Sequence, residues 1–128
     1  MADMLFGLHS GVRYLVLAAW LVAMVGALSS LRHGGSGKAG RVTMLIFIGL
    51  LDLQFLIGLV LLLNWDFHPQ LFGHVLTMLI AVFAAHGFVL AQRRATPARP
   101  RRALPVVGLL ITLLLIVAGI ASIGRPIL

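Results

Sequence analysis

Leu71-Phe-Gly-His-Val-Leu-Thr-Met-Leu-Ile-Ala-Val-Phe-Ala-Ala-His-Gly-Phe-Val-Leu-Ala91 is an apolar run that carries two histidines, His74 and His86. A helix of roughly 20 apolar residues crosses the hydrocarbon core of a bilayer, and this stretch has that length. An ionisable side chain inside such a span marks a functional-site hypothesis with a partner to be found. The remainder of the chain is read here for those partners.

Three further apolar runs flank this one, and the spans are expected at about residues 5–31, 43–64, 71–92 and 105–124. The 128 residues are 61% hydrophobic and 10% charged, with a mean hydropathy of +1.10. Four spans leave no room for a soluble domain. The expected fold is therefore all-α, an integral membrane four-helix up-down bundle forming a single transmembrane domain over residues 1–128. A cleaved signal peptide is the competing reading of the first run, but that run is long for an h-region and no A-x-A-like site ends it.

The net charge of +7 is a topology signal. Every Lys and Arg except Arg13 lies outside the apolar runs, while the aromatic residues lie mostly inside them, so no groove for nucleic acid is expected. Arg32, Lys38 and Arg41 punctuate a Gly/Ser-rich loop, and Arg93, Arg94, Arg99, Arg101 and Arg102 share the third loop with Pro97 and Pro100. The loop between them, Asn64 to Gln70, has no Lys or Arg and offers Trp65 as an interfacial aromatic residue. The positive-inside rule places both basic loops in the cytoplasm and both termini outside. Cysteine is absent, which excludes disulfides, thiolate metal sites, iron–sulfur ligation and covalent haem attachment through C-x-x-C-H. No P-loop, G-x-G-x-x-G, H-E-x-x-H or internal repeat occurs.

In an up-down bundle the first and third helices run the same way and occupy diagonal corners. His9 and His74 both fall near the outer ends of those helices, where two imidazoles and one intervening metal fill the diagonal gap between helices about 8–10 Å from their neighbours. Gly7, Gly11 and Gly73 flank the histidines and leave room for a flat macrocycle. Met78, one turn below His74, is a packing neighbour or a weaker candidate ligand. Arg13, one turn beyond His9, favours an anionic partner such as a haem propionate, an anionic lipid or a quinone head. The competing account makes His9 and His74 interfacial residues that reach headgroups or cap helix ends, with Arg13 snorkelling beside them.

Asp52 is the carboxylate expected in the hydrocarbon core, where an ionised Asp costs about 2.5–3.5 kcal/mol on insertion scales unless it is paired or wet. Counting inward from Arg41 and Arg93 brings Asp52 and His86 within about 6 Å of one another in depth, so the two are expected to pair as a proton-handling or structural couple. Gln54 points to nearly the opposite side of the same helix, because two residues rotate by about 200°. It is a candidate for a quinone or for a helix interface. His86 follows His74 at a rotation of about 120°, and so points away from the diagonal. His33 and His68 read as loop residues. The fourth span has no ionisable residue, and Ala118, Gly119, Ala121 and Ser122 give it a small-residue patch for close packing. Trp20, Phe47, Phe55 and Phe83 read as packing residues.

The segment Leu8-His9-Ser10-Gly11-Val12-Arg13-Tyr14-Leu15-Val16-Leu17, with Leu53-Gln54, Gly73-His74 and His86-Gly87, resembles a group of small bacterial four-helix membrane proteins loosely described as cytochrome b-like. The resemblance covers three of the four helices. It implies His9, His74 and His86 as candidate ligands, and Asp52 stands where several members of that group have a histidine, which puts a second haem in doubt.

Three readings of function follow. The first is a haem b membrane subunit that transfers electrons, with quinone as a further cofactor, alone or within a larger redox complex. The second is a non-catalytic accessory or assembly subunit of a respiratory or photosynthetic complex, in contact with other membrane subunits or with further copies of itself. The third is a small proton-coupled transporter in which Asp52 carries the proton.

Overall fold

The computed structural model describes residues 2–33, 38–64, 69–94 and 103–122. These form four helices, α1 (Ala2–His33), α2 (Lys38–Leu63), α3 (Pro69–Arg93) and α4 (Leu104–Ala121). Each is long and apolar enough to cross a membrane, which makes the chain a multi-pass membrane protein of the expected all-α four-helix class. In hydrocarbon the backbone has no water to bond, and helices satisfy every N–H and C=O internally. The large apolar side chains exposed around the outside, Leu21, Leu63, Phe83 and Leu114 among them, are accordingly a lipid-facing surface.

The bundle is two tight hairpins set side by side. α1 packs along α2 and α3 along α4, whereas the α1–α4 and α2–α3 seams are narrow and the backbones of α1 and α3 stay apart among the described residues. α1 and α3 thus stand at diagonal corners. The core between the hairpins contains Phe47, Ala81, Leu109 and Thr112, with the Thr112 hydroxyl donating to the Gly108 carbonyl at 2.8 Å. Trp20 Nε1 of α1 donates to the Leu109 carbonyl of α4 at 2.8 Å and ties the two hairpins together.

Small residues set how closely each hairpin closes. A Cβ on Gly26 would lie 3.4 Å from Thr43 Oγ1 and 3.7 Å from Gly40 Cα, so α1 and α2 nearly touch at their inner ends. In the second hairpin a Cβ on Gly108 would come within 2.6 Å of Phe88 Cγ, and one on Gly119 would collide with Met78 Cε. Of the small-residue patch expected on the fourth span, only Gly119 is buried in this contact, while Ala118, Ala121 and Ser122 are exposed. Gly108, three turns earlier on the same face, is its working partner.

The helix ends differ from the expected ones where packing overrides composition. α2 begins at Lys38, and the Gly40 that reads as loop is helical, with Thr43 Oγ1 donating back to its carbonyl at 3.0 Å. α1 continues to His33, which ends a helix instead of lying in a loop. α4 stops at Ala121, with the Ser122 N–H closing on the Ala118 carbonyl at 3.0 Å. Trp65 and His68 lie outside the described residues.

Candidate functional site: facing imidazoles between two hairpins

A cavity of about 220 Å³ lies between the hairpins near the start of α1 and the start of α3, with walls mostly from α1, α2 and α3. Its polar side chains include His9, Arg13, Gln54 and His74, and the surrounding wall is apolar. His9 and His74 face each other across the diagonal with ring centroids 6.4 Å apart and ring planes at 85°. The separation and angle are those of an edge-to-face ring pair.

The end of α4 fixes His74. Gly119 is among the last residues of a helix that stops at Ala121, so among the described residues its carbonyl accepts from side chains. It takes the Ser122 hydroxyl at 2.7 Å and His74 Nδ1 at 2.9 Å. A carbonyl only accepts, so Nδ1 carries the proton and the neutral ring keeps a lone pair on Nε2. Metal-binding histidines are held in this manner, with the far nitrogen anchored on a backbone carbonyl.

His9 is held from α2. Gln54 Nε2 donates to the His9 backbone carbonyl at 2.7 Å, and the imidazole lies against Gly58, where a Cβ would meet His9 Cε1 at 3.0 Å. His9 Nδ1 and Gln54 Oε1 are buried without a hydrogen-bond partner among the described residues, an uncommon state for buried polar atoms and one that a bound group relieves. Gly58 is absent from the candidates drawn from the sequence. Its position one turn after Gln54 is the available signal, because residues four apart share a helix face.

Arg13 lines the cavity one turn from His9, with Nη2 donating to Tyr14 Oη at 3.0 Å. Met78 also lines it, and its methyl end rests on Gly119. Gly11 is not brought to the site. It is exposed with no atom within 4 Å of a hypothetical Cβ, because two residues past His9 the helix has turned by about 200°. Gly7 is equally open, and Gly73 packs against Ser122 instead of the cavity.

Asp52 and His86 meet elsewhere, across the α2–α3 seam. His86 Nε2 donates to Asp52 Oδ2 at 2.9 Å and Oδ1 at 3.0 Å, while Gln54 looks the other way, towards α1. The pair is on the outer surface, with side-chain exposures of 52% for His86 and 37% for Asp52.

His9 and His74 are the cavity side chains that would hold a haem b, and among the described residues no three His, Cys, Asp or Glu side chains gather to hold a bare metal ion. The volume is the tighter condition. It exceeds the roughly 150 Å³ that admits a benzene-sized ring and is smaller than a tetrapyrrole needs. No family model matches the chain, and no curated protein or solved structure is similar to it.

Proposed function

We propose that this protein is a haem b-binding membrane subunit for electron transfer, in which His9 and His74 would hold the haem. The observation that carries the reading is the 6.4 Å approach of two imidazoles from diagonal helices. When bound, haem b supplies reversible one-electron chemistry at its iron. The chain contributes the rest. The Gly119 carbonyl keeps the proton of His74 on Nδ1 and so leaves Nε2 basic. Gln54 locks the backbone of α1 at His9, Arg13 offers a positive charge to an anionic substituent, and the apolar wall excludes water. The cytochrome b-like resemblance of the first three helices supports the same assignment.

A quinone head is the second reading, favoured by a cavity of about 220 Å³ that suits one ring and by the unpaired acceptor Gln54 Oε1, to which a hydroquinone hydroxyl can donate. In either case the site belongs to an inner-membrane redox subunit of a bacterium, with both termini outside. Expression with ample haem, purification in mild detergent and reduction should give the sharp α and β bands of a low-spin bis-imidazole haem. His9→Ala and His74→Ala should each abolish them, and His86→Ala should leave them largely intact. A colourless protein whose organic extract contains quinone selects the second reading, and an unaltered spectrum in His9→Ala rejects the ligand assignment.

A further inference from the structure

The Asp52–His86 pair has no part in the cavity, and its placement is unusual for a membrane span. Asp52 falls within the span Gly40–Leu63 and His86 within Leu71–Arg93, yet both are substantially exposed on the outside of the bundle. Ionisable side chains at membrane depth nearly always face protein or a wet cavity. Protein is therefore expected to cover this face.

We propose that the α2–α3 face carrying Asp52 and His86 is the interface of a homodimer whose twofold axis runs along the membrane normal. Charge complementarity identifies the occupant. The pair sets an acceptor carboxylate beside an imidazole whose Nδ1 has no partner among the described residues. A twofold axis between them preserves depth and exchanges left for right, so Asp52 of one copy meets His86 of the other. In the ion pair, where Nε2–H already bonds Asp52 of its own copy, the imidazolium has Nδ1–H left to donate to Asp52 of the other, so donor meets acceptor at the same level on both sides. The surface also permits approach. Gly49, on the Asp52 side, and Gly87, next to His86, have no atom within 4 Å of a hypothetical Cβ, and Leu56 and Phe83 project beside them with exposures of 58% and 67%. Small residues beside a polar pair allow two membrane helices to come close enough for hydrogen bonds. The proposal is independent of what fills the cavity.

The absence of cysteine makes the test direct, since one introduced thiol is the only one in the chain. Leu56→Cys and Phe83→Cys are compared in membrane vesicles with Leu21→Cys on α1 and Leu114→Cys on α4, using a short bis-maleimide, and the mass of the purified wild type is measured in mild detergent. The expected result is a dimer mass and cross-linked dimers at Leu56 or Phe83 only. The double variant Asp52→Asn/His86→Gln should lower the cross-linked fraction by about threefold to tenfold, the scale of interhelical hydrogen bonds in bilayers. Exchanging the two residues, Asp52→His with His86→Asp, should restore it. A monomeric wild type, equal cross-linking at Leu114, attachment to a different protein, or an exchanged variant that folds but stays monomeric would each overturn the proposal. Should the double variant fail to fold, the wild-type mass and the cross-linking pattern still decide.

Discussion

The tautomer of His74 is set by a helix end, and the position of His9 by a missing methyl group. Nothing in the His74 side chain itself says which nitrogen is protonated; the carbonyl of Gly119, near the end of α4, does, because it can only accept. Gly58 does the corresponding work for His9. An Ala there places its Cβ 3.0 Å from His9 Cε1, close enough that the ring must shift by a few tenths of an ångström, and a larger side chain would take the ring's place. Gly58→Ala should therefore fold normally and bind haem more weakly. Gly58→Leu should retain helical circular dichroism while losing at least about tenfold in affinity, equivalent to about 1.4 kcal/mol. Full pigment in Gly58→Leu would mean that His9 is not a ligand in this position.

At the scale of helices, the second hairpin closes on two glycines that are not equivalent. The atom in the way of a Gly119 side chain is the methyl end of Met78, which swings aside readily, whereas Gly108 faces Cβ and Cγ of Phe88, which do not. Gly108→Ala is expected to destabilise the fold by about 1–3 kcal/mol, as overpacking does, and Gly119→Ala by clearly less. Thermal unfolding in detergent measures the difference, and equal losses would contradict the packing described. Much of this element-level organisation was legible in the residues. Alternating basic loops and four apolar runs gave the up-down order, helix direction put His9 and His74 on one diagonal, and counting from Arg41 and Arg93 paired Asp52 with His86. What escaped was rotation about the helix axis. Each helix is apolar on all sides, so no polar stripe announces which face turns inward. Gly11 was accordingly assigned to the site that Gly58 occupies, and the Gly108 contact went unnoticed. The start of α2 was missed as well: Gly40 reads as a loop residue and is helical.

For the molecule as a whole, orientation rests on the basic residues of the segments Arg32 to Arg41 and Arg93 to Arg102, which follow α1 and α3 in the chain. Reporter fusions at Gly35 and after Leu128 should report opposite compartments, the first cytoplasmic. Two reporters in the same compartment would be incompatible with four spans, and a reversed pair would mean that the cavity opens near the cytoplasmic face. The orientation matters for the redox reading, because it decides on which side of the membrane an electron partner must approach His9 and His74.

The narrow seams between the two hairpins also bear on how the protein is made. The first hairpin is synthesised and can enter the membrane while His74 is still unmade, so the two facing imidazoles belong to different stages of translation. Each hairpin closes on its own glycine contacts, and the cavity exists only after the halves meet. A ligand bridging them binds the joined state and not the separated halves, so it draws assembly to completion by mass action. A cell short of that ligand would accumulate inserted but loosely joined hairpins, exposed to membrane proteases. The quantity of intact protein would then follow the supply of the ligand, with no dedicated regulator.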